Sequence, residues 1–306
     1  MGETDNWGRG LFWLAFTVLV WGAYMPVGRA VGQHIDVYWV TFARYLFAGV
    51  LIVGYLAVRE GASVFSMTRG DFWRVLALGA LGSAGFGLFS YLAVRYTRPE
   101  HAAAISALTP IHVALWRAAR TRAFPPPRVA LTVVAVVFGE VLVLTHGDLG
   151  ALRTGGGLYG DLLALIASLC WTFYTIGAQA LRGFSALRLT GLACLFGSPI
   201  GLAVALAATA FGATRPFGWS DVVAVWPQLV YLFVGVSLIS IVTWNIAVRD
   251  LGAQNATLMA AFVPVIPFAW AFMQGQRFSA SELFGVALIL VAIVAHNLGE
   301  RRSAPS

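Results

Sequence analysis

Three ionisable side chains lie inside long apolar stretches of this chain: Arg44, His112 and Glu140. Such groups are costly in lipid and tend to be functional. Arg44 falls about a third of the way into its stretch, so it reads as a snorkelling residue reaching the outer interface. His112 lies mid-stretch, two residues after Pro110. It is either a hydrogen-bonded packing histidine or a substrate or proton contact. Glu140 reads as a helix-pairing group, with a proton site as the alternative. Cys170 and Cys194 both fall in apolar runs, which argues against a disulfide framework and against a metal site. Intramembrane hydrolysis lacks its motifs. There is no His-Glu-x-x-His for zinc, and Gly82-Ser83-Ala84-Gly85 has the wrong order for a rhomboid-like serine. No paired-Asp motif for prenyl diphosphate chemistry and no phosphate-binding loop for ATP occurs either. The expectation is a non-enzyme with no catalytic residues, no cofactor and no metal.

The elements that must position these groups follow from composition. Of 306 residues, 59% are hydrophobic and 11% charged, and the mean hydropathy is +0.79. Soluble domains carry roughly 25% charged residues, so the apolar surface of this chain calls for lipid. Ten stretches are long enough to span it: 11–31, 38–58, 73–94, 101–119, 129–146, 158–180, 187–209, 226–247, 254–273 and 281–298. None alternates as barrel strands would, so each is expected to be a helix that satisfies its own backbone. The first run is too long for a signal-peptide core and reads as a retained span.

All the Lys-plus-Arg positive charge is Arg. With the N-terminus inside, thirteen Arg lie in cytoplasmic segments and six outside (Arg29, Arg95, Arg98, Arg153, Arg215 and Arg277), with Arg44 in a span. The positive-inside rule then puts both termini in the cytoplasm. The net charge of +7 comes without any nucleic-acid motif, so no nucleic-acid partner is expected.

The chain also repeats itself. At an offset of 150, Leu19, Trp21, Tyr24 and Ala30 match Leu169, Trp171, Tyr174 and Ala180. At an offset of 154, Ala93-Val94-Arg95 matches Ala247-Val248-Arg249. Ala102, Ala107, Pro110 and Trp116 then match Ala256, Ala261, Pro264 and Trp270. Five spans per unit is an odd number, so the second unit is inverted. Inverted repeats belong to transporters whose site lies near the midplane. The expected architecture is all-α integral membrane, ten transmembrane helices as two inverted five-helix repeats, over residues 10–147 and 155–299.

These residues carry a resemblance. Trp21-Gly22 with its echo at Trp171, and Leu92-Ala93-Val94-Arg95 through Pro110 with its echo from Ile246 to Pro264, resemble the drug/metabolite transporter superfamily. Within it they resemble the ten-helix EamA-type exporters, including the YddG kind that exports aromatic and neutral amino acids. The resemblance spans about residues 10–299. One departure stands out: the family often has Gly-Glu after the fourth and ninth helices, where this chain has Arg120-Thr121 and Gly275-Gln276.

The resemblance implies a central cavity lined by helices 1, 3, 4, 6, 8 and 9. Those spans carry polar and aromatic stripes at helical spacing, whereas spans 5, 7 and 10 are mostly Leu, Val, Ala and Ile. The candidate substrate contacts are Trp21, Tyr24, Ser90, Thr109, His112, Trp171, Tyr174, Thr175, Gln179, Trp244, Asn245 and Met259, with Pro110 and Pro264 as symmetric hinges. Single Ser and Thr residues, and Gly79, Gly82 and Gly85, are ordinarily packing residues. Trp13, Trp39, Trp73 and Trp226 read as interfacial anchors. The expected function is a secondary transporter exporting small metabolites, foremost amino acids, across the bacterial inner membrane by alternating access. Its partners would be a small-molecule substrate and the lipid bilayer. A drug or nucleotide-sugar carrier, or a channel or intramembrane enzyme, are the alternatives.

Overall fold

A computed structural model describes residues 3–106, 108–122, 127–145, 147, 157–181, 183–251, 256, 260, 262–263 and 265–301, some of them by backbone alone. Every described regular element is a helix. In chain order, α1 is Glu3–Gly22, continued after a turn at Ala23 by Tyr24–Val31, and α2 is Val37–Glu60. Next, α3 runs as Arg69–Leu78, Gly79–Gly85 and Phe86–Tyr96, and α4 as Pro99–Ser106 and Thr109–Thr121. Then follow α5 (Pro127–Thr145), α6 (Leu158–Ala180) and α7 (Ala186–Ala210). Finally α8 runs as Trp226–Val230, Tyr231–Ile239 and Ser240–Leu251, α9 is Val265–Met273, and α10 is Ala280–Arg301. Among the described residues, seven of these are long and apolar enough to cross a bilayer, and α5 and α10 carry shorter apolar cores.

Polar side chains start the helices where the apolar runs begin. Asp36 accepts from the Tyr38 amide at 3.3 Å, Thr68 from Asp71 at 3.1 Å and Ser185 from Arg188 at 3.2 Å. Ser279 and Glu282 form a reciprocal capping box at the start of α10. Each cap satisfies an amide that has no partner within its helix.

The packing is exchanged when each helix is replaced by the one five places along. α1 packs on α8 and α6 on α3, α2 crosses α7, and α5 lies against α10. The middle of α3 and of α8 is wound as π-helix, at Gly79–Gly85 and Tyr231–Ile239. The offset of 154 maps one of these segments onto the other. A π-turn inserts a residue into the ladder and re-aims the side chains around it, so both halves carry the same distortion at the same level. Ser83 and Ser237 are equivalent residues within it, and the Ser237 hydroxyl donates to the Leu232 carbonyl five residues back at 2.9 Å. The protein is thus an all-α membrane protein built as two inverted five-helix repeats.

Ion pairs pin the two ends of the bundle. On one face Arg95 pairs with Asp36 at 3.7 Å, Arg98 with Glu282 at 3.0 Å, and Thr97 donates to Asp161 at 2.6 Å. On the other, Arg9 ties α1 to Asp250 of α8 through two bonds of 2.9 and 3.1 Å. These are called the Asp36 face and the Arg9 face below.

Candidate functional site

Between the two repeats lies a cavity, with about 1140 Å³ of empty space once the open solvent at its mouth is included. Helix α1 contributes Trp21, Tyr24 and Met25, α2 Arg44 and Tyr45, and α3 Phe86. Helix α4 adds Ala103, Ser106 and Thr109, α6 Ser168, Trp171 and Thr175, and α8 Val236, Ile241 and Trp244, with Ala260 and Val263 closing the side next to α9.

Its wall is aromatic, and its rings come from both repeats. Trp21 meets Trp171 edge-on at 5.9 Å and Trp244 at 5.0 Å. Trp171 packs on Phe86 at 5.0 Å and stacks on Tyr174 at 5.2 Å, and Phe86 faces Tyr24 at 6.3 Å. The Trp21 indole donates to Ser240 at 2.7 Å, which fixes the ring on α8. Such mutual contacts hold rings in one orientation, so the wall is preformed. Thr109 donates to the Ser106 carbonyl at 3.0 Å and Thr175 to the Trp171 carbonyl at 2.8 Å. With their protons committed to their own helices, both hydroxyls face the cavity as acceptors.

Of the sequence candidates, Trp21, Tyr24, Thr109, Trp171, Thr175 and Trp244 lie in this lining. Ser90, His112 and Tyr174 lie behind it. Ser90 is fully buried in α3. His112 Nδ1 is 3.3 Å from the Ser168 hydroxyl and 3.4 Å from Thr172, so it supports α6 from the α4 side. Tyr174 sits against Gly82, where a Cβ would collide with its ring. The side chains of Gln179, Asn245 and Pro110, and the whole of Met259 and Pro264, lie outside the described residues, as does the side chain of Glu140.

Arg44 is a correction. It does not snorkel: it is 1% exposed and lines the cavity. Its guanidinium donates to the Tyr45 hydroxyl at 2.6 Å, to Tyr24 at 3.2 Å and to Ser237 at 3.3 Å. It also lies 4.1 Å from the Tyr45 ring and 5.1 Å from those of Tyr24 and Tyr91. Three tyrosines replace the water that snorkelling would seek. With Tyr45, it also brings α2 into a lining that the sequence assigned to six other helices. No signal near Arg44 in the chain shows this, because Tyr24, Tyr91 and Ser237 come from three other helices.

Paired inverted repeats around a preformed aromatic cavity define a polytopic carrier of the drug/metabolite transporter type. The EamA-like transporter family matches the chain twice, over residues 8–145 and 158–298, and the chain belongs to that family. Similar proteins include the uncharacterized transporter YrdR of Bacillus subtilis (strain 168), 26% identical over 95% of this chain and 93% of that one. The uncharacterized inner membrane transporter YicL of Salmonella typhimurium is 22% identical over 99% of both. A crystal structure with 19% identity shares the fold, with a TM-score of 0.65 over 98% of this chain and all of that one.

Proposed function

We propose that this transporter exports amino acids across the inner membrane by alternating access, with the aromatic cavity as its substrate site. The observation that carries this reading is the junction of Trp21 and Trp171, equivalent residues of the two repeats that meet edge-on at the cavity wall. A site shared by inverted halves can be opened to either side by rocking one against the other. An apolar, ring-walled pocket with a few fixed polar groups suits a small amphipathic solute. The test is flux of an amino-acid panel in proteoliposomes, with and without a proton gradient. Saturable movement of at least one apolar amino acid is expected, and none for any member of the panel would refute the reading.

Two predictions belong to it. No carboxylate is among the described lining residues, and Glu140 lies on α5, none of whose described residues reaches the cavity. Glu140→Gln should therefore leave proteoliposome flux within a few-fold of the parent, and complete loss with normal folding would assign Glu140 a proton-carrying role instead. The Arg excess puts both termini in the cytoplasm. A C-terminal reporter fusion should be active only in its cytoplasmic form, and periplasmic activity would reverse the orientation.

A further inference from the structure

We propose that Arg44 is the anchor for a carboxylate group of the transported solute, and that the arginine-lined pocket on the Asp36 face is the portal through which that anion passes. This rests on the transport reading and adds to it the charge of the substrate.

Three observations converge. Arg44 is a full positive charge buried at the cavity wall, and among the described residues no carboxylate forms an ion pair with it. Its Nε is buried and has no hydrogen-bond partner. A charge held this way by neutral hydroxyls and ring faces is far from balanced, and a bound anion is what completes it.

The repeat supplies the second observation. The offset of 150 that relates α1 to α6 places Cys194 of α7 where α2 has Arg44. The equivalence is visible in the contacts. Arg44 reaches Ser237 of the α8 π-segment at 3.3 Å, and Cys194 meets Ser83 of the α3 π-segment, with hydroxyl and sulfur 3.7 Å apart. The same packing niche is thus filled in one half by a small neutral group. The scaffold does not require a cation there, so the charge is asymmetric for another reason.

The third observation lies beyond Arg44, towards the Asp36 face. A second, open pocket, with about 550 Å³ of empty space including the solvent at its mouth, is lined by Arg29, Arg95 and Arg215, and its inner wall includes Tyr91. Arg95 is partnered by Asp36, while Arg29 and Arg215 have no ion pair among the described residues. Tyr91 is 1% exposed and its ring faces Arg44 on the other side. It closes against Gly28, where a Cβ would overlap the ring. A basic portal, an aromatic partition and a buried cation stand in series. Such a row concentrates anions at its mouth and repels cations.

The charge of the ligand follows. One uncompensated guanidinium matches one carboxylate, whereas a phosphate dianion would bring excess negative charge into an aromatic, low-dielectric wall. The ring faces of Trp21, Trp171 and Trp244 take the apolar body and, in an amino acid, the ammonium.

The test uses the purified full-length protein and three probes: L-phenylalanine, 3-phenylpropionate (carboxylate only) and L-phenylalaninamide (no carboxylate). Binding is read as thermal stabilisation in detergent and transport as proteoliposome counterflow. Phenylalanine and phenylpropionate should bind at least ten-fold more tightly than the amide. Arg44→Gln should remove that preference by weakening the two carboxylates ten-fold or more while leaving the amide unchanged, and Arg44→Lys should restore part of it. Arg29→Gln combined with Arg215→Gln should slow carboxylate entry from the Asp36 face and flatten its salt dependence, with affinity unchanged. Equal binding of amide and carboxylates, or equal weakening of all three by Arg44→Gln, would overturn the anchor while leaving transport intact. Carboxylate-selective binding without flux would uphold the anchor and refute the transport reading. Failure of all three probes to bind the parent protein would refute the anchor.

Discussion

Replacing Trp171 with alanine is expected to lower solute flux by about ten-fold or more, the consequence of losing on the order of 1.4 kcal/mol of substrate binding. Trp171 is where the two repeats touch across the cavity, through Trp21 of α1 and Phe86 of α3, and it also stacks on Tyr174 of its own helix. An aromatic pair contributes about 0.5–1.5 kcal/mol beyond simple burial, and here one ring takes part in three. Its removal would unfix the neighbouring rings as well as shorten the wall. Truncating a core tryptophan can cost about 3–5 kcal/mol of stability, so flux must be compared at equal amounts of monodisperse protein. Trp171→Phe separates the effects: it keeps an apolar ring in the wall and should retain more flux than the alanine variant. Normal flux in Trp171→Ala would mean that the solute does not touch this wall.

The second large effect is on the fold. Gly79→Val should abolish or severely reduce accumulation of folded protein, measured by gel filtration after detergent extraction and by melting temperature. Gly79 opens the α3 π-segment, and its Cα side lies against α7. A Cβ there would overlap the Ala193 carbonyl oxygen and stand 2.7 Å from the Gly197 amide nitrogen. Gly197 is equally close in return, since its own Cβ would strike the Gly79 carbonyl. The obstacle is backbone on both sides, and backbone cannot swing away as a flexible side chain can. Overpacking ordinarily costs about 1–3 kcal/mol, and a branched residue against backbone belongs at or above that range. Gly54→Val in α2 is the control. A Cβ there meets nothing within 4 Å, so that variant should accumulate normally. Equal behaviour of the two would show that the close α3–α7 approach is not needed.

Much of the architecture is a direct product of the chain's solvent. A residue in lipid must be apolar and its backbone internally bonded, so the spans can be counted from local composition. Some boundaries agree closely with the helices: the stretches at 158–180 and 187–209 became Leu158–Ala180 and Ala186–Ala210, whereas the first helix starts at Glu3 and not at 11. The repeat was legible because Trp, Tyr and Pro are scarce enough in apolar sequence for coincident spacing to carry information. The family resemblance implied which helices line the cavity, and helical periodicity placed Trp21, Trp171 and Trp244 on the polar stripes of those helices.

Tertiary structure alone decided what surrounds each charge and which helices meet. Hydropathy assigns Arg44 a cost but no neighbours, and snorkelling was the answer that its own helix suggested. The tyrosines that hold it are 20, 1 and 47 positions away in the chain, brought together only when α1, α2 and α3 pack. The chain left His112 open between a packing histidine and a substrate contact, and only the rotation of α4 shows its Nδ1 turned towards Ser168 and Thr172. The π-windings of α3 and α8 share no sequence signature, since Gly79–Gly85 is built of small residues and Tyr231–Ile239 mostly of large ones; they lie where α3 meets α7 and α8 meets α2. Sequence fixes what a residue is and which period it follows; how far each helix is rotated, and so which side chains face the cavity, is settled only by the packing of all ten against one another.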